Sequence, residues 1–478
     1  MELFRYCDRE PERLLAVTDS GERVTLGDLN AAAERLGKAV GGRRLVFLLC
    51  ENTPGGLLGY LACLKAGVVP LLLDAHIMPD LLRRLTEIYR PGFFYVPDDL
   101  SAGTRQAIGD AVSVLEVRDS VLLSKGKPGP DLHPELALLL TTSGSTGSPK
   151  LVRLTGRNLD ANAASIAKYL DITEEDRPVT NLVMSYSYGM SVLNSHLLAG
   201  AAVVLTRRGV MERPFWDLTA RERVTSLAGV PYTYRMFHRV GLMDMDLPHL
   251  RTLTQAGGKL PEADHRAFAR WAMDTGRRFF VMYGQTEAGP RMGYLPAERA
   301  LEKCGSMGIP IPGGEIRLLD EEGREITRPD GVGEIVYRGD NVSMGYAESA
   351  EDLALGDRWH GQLYTGDMAR RDAEGFYYIV GRKKRFVKLF GNRVNMDEAE
   401  RLLMTRLPDV GVACVGRDDC LTIFLDSPDP AVGRTAVDWL SRSLRFPERA
   451  FELRVVDAIP KSEAGKTLYA ALEARIGS

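Results

Sequence analysis

The sequence predicts an α/β fold, and three observations carry that prediction. Apolar runs at 45–49, 68–73, 93–96, 136–140, 179–184, 202–206, 226–230, 252–256 and 279–283 read as short buried strands. Segments with helical apolar spacing lie between them, as at 26–40 and 159–170, and such alternation favours largely parallel sheets. From about residue 307 the texture changes. Runs at 315–319, 334–337 and 376–380 alternate with Gly, Asp and Pro turns, as in a smaller β-rich region, and after Gly381-Arg382-Lys383-Lys384-Arg385 helix and strand are mixed.

In chain order, the most apolar stretch comes first. Residues 55–74 are interrupted by Lys65 and contain Pro70, so they read as a helix at 57–64 and a strand at 68–73, not as a membrane span. The start, Met1-Glu2-Leu3-Phe4-Arg5, is too charged for a signal peptide. With 61 Lys+Arg against 64 Asp+Glu in 478 residues, nothing points to a nucleic-acid or membrane-surface partner. The six cysteines (7, 50, 63, 304, 414, 420) form no Cys-x-x-Cys and no short pairing with histidine, which fits a reduced cytosol. A cytoplasmic, soluble protein is expected.

The strand at 136–140 leads into Thr141-Thr142-Ser143-Gly144-Ser145-Thr146-Gly147-Ser148-Pro149-Lys150. Glycines let backbone N–H groups approach an anion, hydroxyls add donors and lysine adds a point charge, a combination suited to a polyphosphate. A Ser/Gly linker is the alternative, but linkers seldom follow a buried strand directly and close on Pro-Lys. The spacing is not that of a Walker loop, and Gly465-Lys466-Thr467 has Pro460 where that loop needs its first glycine.

Further on, Tyr283-Gly284-Gln285-Thr286-Glu287 follows the strand at 279–283, where ligand sites of open α/β sheets gather. Thr286 can donate to a phosphate and Glu287 can hold Mg²⁺ through a hard oxygen, though a strand-end turn with an exposed glutamate fits equally well. Tyr364-Thr365-Gly366-Asp367 places a carboxylate in a tight turn before Arg382. The basic run at 382–388 is interleaved with Phe386 and Val387 and leads into a helix, which argues against a nucleic-acid patch. Pro460-Lys461-Ser462-Glu463-Ala464-Gly465-Lys466 closes the series near the C-terminus.

In order and spacing these motifs, with Ala256-Gly257-Gly258-Lys259-Leu260 and the Gly331-Val332-Gly333-Glu334 to Gly345-Tyr346 stretch, resemble the adenylate-forming superfamily. That family includes acyl-CoA synthetases, aryl-acid ligases, peptide-synthetase adenylation domains and luciferases. The resemblance implies a large domain at 1–381, built of two α/β subdomains and a small β-barrel-like one. A hinge at 382–385 and a small mobile α+β lid at 386–478 would follow.

It implies ATP and Mg²⁺ as cofactors. A small carboxylic acid would become an acyl-adenylate, pyrophosphate would leave, and a thiol, CoA foremost, would displace AMP. A carrier-protein phosphopantetheine, an amine or an inactive homologue are the alternatives, and the protein would be a monomer or homodimer. By the same resemblance Lys466, Thr286 and Glu287 are catalytic, with Glu287 on the metal. Thr142, Ser143, Gly144, Ser145, Thr146, Gly147, Lys150, Gly257, Gly258, Tyr283, Gly284, Asp367 and Arg382 would hold the nucleotide.

Lys384 falls at the hinge position, and Lys388 and Gly391 at the loop facing the thiol tunnel. The acyl pocket would be lined by Tyr186, Tyr188, Gly189, Met190, Val230, Tyr232 and Ala256. Amino-acid-activating relatives place an aspartate near Gly189; its lack disfavours an α-amino acid, because burying an ammonium without a carboxylate is costly. Tyr469 stands where an arginine is common.

Overall fold

The computed structural model describes residues 1–141, 150–390, 392–417, 419–444, 446–461 and 467–476, with residues 384, 386, 388, 392 and 393 described by backbone alone. Thr142, Ser143, Gly144, Ser145, Thr146, Gly147, Gly391 and Lys466 therefore lie outside the described residues, as do the side chains of Lys384 and Lys388. The chain forms two compact units. The first holds the described residues as far as Ile316 together with Tyr337–Leu363; the second holds Arg317–Val336 and the chain from Tyr364 onward.

The first unit is organised by an eight-stranded sheet. Its order is Tyr346–Ala347, Leu151–Thr155, Leu136–Thr141, Val69–Asp74, Leu45–Cys50, Phe93–Pro97, Ser120–Ser124, Val112–Val117. Strand Leu45–Cys50 shows why its central strands read as unbroken apolar runs. Alternate side chains point to opposite faces: Val46, Leu48 and Cys50 join one core cluster, while Leu45, Phe47 and Leu49 join another. Both faces are buried, so no position is left for a polar residue.

Helix Leu26–Val40 covers one face, held at its start by a capping box between Thr25 and Asp28 and ended by Gly41 at φ 72°. Helix Pro54–Lys65 is buried along almost its whole length. Among the described residues no helix is long and apolar enough to cross a membrane.

A second, five-stranded sheet in this unit has the order Ser226–Gly229, Thr252–Gln255, Arg278–Tyr283, Gly293–Leu295, Ile309–Pro310. Its first three strands run parallel. One expected strand, 179–184, is not formed: Val179 makes only an isolated bridge to Val204. There the Asn181 amide donates to the Ala228 carbonyl, and the chain turns through Val183 to Tyr186. It then enters helix Ser187–Ala199, and the fold-back is tight enough that a Cβ at Gly189 would lie 2.2 Å from the Val183 carbonyl oxygen.

In the second unit, strands Val412–Arg417, Cys420–Leu425 and Phe451–Val455 form a three-stranded sheet, with helices Met396–Arg406 and Pro430–Leu444 packed into the same core. Asn395 caps the first helix by accepting from the N–H groups of Asp397 and Glu398. Strands Gln362–Arg371 and Tyr377–Arg382 pair antiparallel, which brings Asp367 directly opposite Arg382.

One buried group makes the first unit sensitive to acid. His196, on helix Ser187–Ala199, bonds through Nδ1 to the Val192 carbonyl at 2.8 Å, and burial pushes its pKa down to about 4. Its folded pKa lies below the unfolded value, so the unfolded chain binds more protons between those two values. The stability it allows is complete above about pH 6.5 and is lost as the pH falls toward 4. Chemical denaturation at pH 7 and pH 5 is expected to show a loss of about 2 kcal/mol from this group, and a smaller loss in a His196→Gln variant.

Candidate active site

Strand Arg278–Tyr283 ends in an irregular loop whose shape depends on one glycine. A Cβ at Gly284 would lie 1.6 Å from the Pro290 carbonyl oxygen, so no larger residue fits where the loop doubles back. The backbone then makes a short 3₁₀ turn, Thr286–Ala288. Thr286 Oγ1 lies 3.1 Å from Ser187 Oγ, at the first turn of helix Ser187–Ala199. Tyr346 donates its hydroxyl to Glu287 Oε1 at 2.6 Å, and Glu287 Oε2 has no partner among the described residues. The ammonium of Lys150 lies 3.9 Å from the centre of the Tyr346 ring, in cation–π range. Burial and the neighbouring Glu287 carboxylate push the Tyr346 phenol up, so it remains a donor.

The loop is buried, so its carbonyls need partners. Asn341 Nδ2 donates to the carbonyls of Ala288 (2.6 Å) and Arg291 (2.7 Å), and Asn162 Nδ2 reaches the same two oxygens at 3.4 and 3.3 Å. Tyr337 holds Asn341 in turn, donating to its Oδ1 at 2.8 Å. Sequence reasoning gave no role to Asn162 or Asn341, and took Tyr337 only as part of the stretch that begins at Gly331.

The expected acyl-pocket residues divide into two groups. Gly257, at φ +82°, adopts a conformation that L side chains rarely take, and a Cβ there would lie 2.6 Å from the Tyr186 hydroxyl. Gln255 fixes this loop by donating to the carbonyls of Gly258 (2.8 Å) and Ala256 (3.2 Å). Val230 meets the same point, 3.1 Å from that Cβ. The rings of Tyr186 and Tyr188 pack edge to face at 6.3 Å, and Tyr188 shares a 2.7 Å hydrogen bond with Thr254 Oγ1. Tyr186, Tyr188, Val230 and the Ala256–Gly258 loop thus come together.

Two others stand apart. Met190 is fully buried within the apolar core, and Tyr232 is 55 % exposed with its ring beneath Arg235. Behind Tyr188 lies a cavity of about 30 Å³, lined among others by Ser191, Ala228, Thr254, Met282 and Arg291.

In the second unit, Asp367 is 4 % exposed and pairs with Arg382 Nε at 3.0 Å. Their cross-strand register makes the pair. Thr365 donates to the Ile335 carbonyl at 2.9 Å, and Glu334 accepts from the Gly366 N–H (3.2 Å) and from Lys383 Nζ (2.7 Å). The backbone of Lys384 lies in the 3₁₀ turn Lys383–Arg385, and that of Lys388 in strand Phe386–Leu389, in register with Arg393.

Arg385 is buried against Asp397 (2.8 Å), Glu400 (2.5 Å) and the ring face of Tyr469 (3.6 Å). Burial works against its charge, but Glu400, Tyr469 and Asp397 together raise its pKa. Tyr469 also donates to Glu400 Oε2 at 2.8 Å, so its departure from the arginine expected there has a structural use.

Among the described residues no three His, Cys, Asp or Glu side chains group as a metal cage. A single carboxylate with a spare oxygen suits Mg²⁺, which takes one or two protein carboxylates and fills its remaining positions with waters and phosphates. Glu287 meets that requirement.

Comparison with known proteins gives this site a context. The model of a family described as AMP-binding enzyme matches residues 3–347. The chain is similar to an indoleacetate–CoA ligase of Aromatoleum aromaticum, 30 % identical over 448 residues (88 % of this chain, 86 % of the relative). It is also similar to a 3-hydroxybenzoate–CoA ligase of Aromatoleum sp. strain CIB, 26 % identical over 491 residues (94 % and 91 %). Among solved structures, o-succinylbenzoate CoA synthetase from Bacillus subtilis, in complex with its acyl-adenylate intermediate, has the same fold. The TM-score is 0.77 at 24 % identity, covering 99 % of this chain and 97 % of that one.

The asparagine fork carries a direct expectation. Asn341→Ala removes two donors from buried carbonyls and an acceptor from Tyr337, and should cost about 2–3 kcal/mol of stability in thermal or urea unfolding.

Proposed function

The chain belongs to the family of AMP-binding enzymes, and from that premise we propose that it is an acid–CoA ligase. ATP activates a small carboxylic acid with release of pyrophosphate, and CoA then takes the acyl group. The observation that carries this reading is the similarity to CoA ligases over most of both chains, together with a strand-end loop that presents a hydroxyl and a carboxylate with a spare oxygen, and the Lys150 ammonium on the far side of Tyr346.

In the first half-reaction the substrate carboxylate attacks the α-phosphorus of ATP, and the bond to pyrophosphate breaks. Negative charge grows on the phosphoryl oxygens, so positioned donors and cations lower the barrier. Lys150 and Thr286 are suited to the phosphates, with Thr142–Gly147 and Tyr283–Gly284 assigned to the nucleotide by their motifs. Glu287 would hold Mg²⁺, whose charge offsets that of the phosphate oxygens. Asp367, held by Arg382, can accept from the ribose hydroxyls. Gly257 and Gly258 leave room for the adenylate beside Tyr186, and Tyr186, Tyr188, Val230 and Ala256 bound the acyl group. Lys466 is the cation assigned to bridge carboxylate and α-phosphate.

In the second half-reaction the CoA thiolate attacks the acyl carbonyl, and AMP leaves with the bonding electrons. We assign residues 1–381 to the nucleotide-binding body and 386–478 to a lid that turns about 382–385, with Lys384 as the pivot. Lys388 and Gly391 would border the approach of the thiol, and the working compartment is the cytoplasm.

The test is a pyrophosphate-release screen over aliphatic and aromatic acids, with and without CoA. Acid-dependent pyrophosphate release is expected, with thioester appearing once CoA is added. Pyrophosphate release with thioester only on a carrier-protein phosphopantetheine would transfer the second step to that acceptor. Lys466→Ala should lower adenylation at least about 100-fold and leave AMP binding by calorimetry in place; full adenylation by this variant would remove Lys466 from the mechanism.

A further inference from the structure

Arg291 is a buried cation with no counter-ion among the described residues. It is 3 % exposed, yet it forms no ion pair among the described residues. Among the described residues Nη2 donates to Ser191 Oγ at 3.1 Å, the neutral Tyr169 hydroxyl is a further hydrogen-bonding neighbour of the guanidinium, and Nε has no partner. The guanidinium lies 4.2 Å from the centre of the Tyr188 ring. The other described groups around Arg291 and its cavity offer no free negative charge. Burial holds the phenols of Tyr169 and Tyr188 protonated against the pull of Arg291, and His196 is neutral for the same reason.

Asp176 also lines the cavity, but its carboxylate is already spent. Burial opposes its charge, which is kept by Thr173, the Thr225 hydroxyl and Arg251, the last at 2.8 Å. A guanidinium is rarely left so, because an uncompensated buried charge is expensive and five N–H donors need acceptors.

The backbone of Arg291 is fixed while its side chain is not saturated: Asn162 and Asn341 both hold its carbonyl, so the guanidinium is carried on a rigid loop. The cavity beside it has about 30 Å³, room for roughly two water-sized groups, which is the size of the two oxygens of a carboxylate. It opens behind Tyr188, whose ring meets Tyr186, and Tyr186 in turn meets Gly257. Arg291 therefore stands one aromatic layer beyond the pocket assigned to the acyl group.

We propose that Arg291, with Ser191, is a specificity site for a second oxyanion at the far end of the acid, so that the preferred substrates are dicarboxylates or carboxylates bearing a sulfonate. This rests on the acid-activating reading above. The distal oxyanion supplies a counter-charge and accepts from Nε and from guanidinium N–H groups that face the cavity. A monoacid with an apolar end leaves those donors buried and unpaired, and so is rejected.

Matched acids in which an isopropyl group replaces the distal carboxylate test this by pyrophosphate release: glutarate against 5-methylhexanoate, and isophthalate against 3-isopropylbenzoate, with 3-sulfobenzoate to separate carboxylate from sulfonate. The wild-type chain is expected to prefer the dianion in at least one pair by about 100-fold or more in kcat/KM. Arg291→Met should collapse that ratio, and Arg291→Lys should restore part of it. The proposal is overturned if the wild type uses the neutral member of both pairs at least as well, a result that does not depend on how any variant folds. It is equally overturned if Arg291→Met lowers both members of a pair in parallel. Turnover of neutral acids alone leaves the adenylation reading standing, whereas no pyrophosphate from any acid removes both.

Discussion

The carbonyls of Ala288 and Arg291 are the point on which the first unit's chemistry depends. The chain leaves a parallel strand, doubles back against Gly284 and has no ladder to satisfy it. Two asparagines from distant segments, Asn162 and Asn341, supply the missing donors. Asn158, one helical turn before Asn162, donates to the carbonyls of Asp340 and Val342 and so ties the 340–342 segment to the same helix. Glu287, Thr286 and Arg291 all belong to the loop this clamp secures. An irregular, buried loop is costly in itself, and the amides turn it into a platform rigid enough to hold charged side chains in place.

Much of this architecture was legible in the sequence because it is written locally. Strand Leu45–Cys50 announces itself as an unbroken apolar run, and helix Leu26–Val40 as an amphipathic one bounded by Thr25 and Gly41. Tyr283–Glu287 and Thr365–Asp367 stood out because turn formers and polar side chains able to hold a ligand coincide in a few residues. What stayed hidden was made by contacts over long separations. Nothing near Asn341 signals that its partner carbonyls lie about fifty residues earlier. Arg291 looked like any arginine after a turn, and only the packing shows it buried and without a carboxylate partner among the described residues. The run at 179–184 misled because after an isolated bridge at Val179 the chain turns instead of joining a ladder, with Val183 exposed and the Asn181 amide on the Ala228 carbonyl.

In the second unit the polar design is different in kind. Arg385 is buried like Arg291, but Asp397, Glu400 and the Cys414 carbonyl surround it. Its charge is compensated from within, and Tyr469 closes the group on one side by covering the guanidinium and bonding Glu400. Such a saturated cluster holds helix Met396–Arg406 and the C-terminal helix Tyr469–Glu473 to one another and offers nothing to a ligand. The contrast separates structural arginine from arginine kept in reserve.

Tyr346 has a consequence of its own. It stands between Lys150 and Glu287, giving its ring face to the cation and its hydroxyl to the anion. Opposite charges left alone in a half-buried site would collapse onto each other, and a ligand would then have to break that pair before it could bind. The phenol works as an insulator. It engages each charge with a different part of one neutral side chain, so the positive and negative poles stay apart, and a ligand meets no ion pair between Lys150 and Glu287 that it must first break.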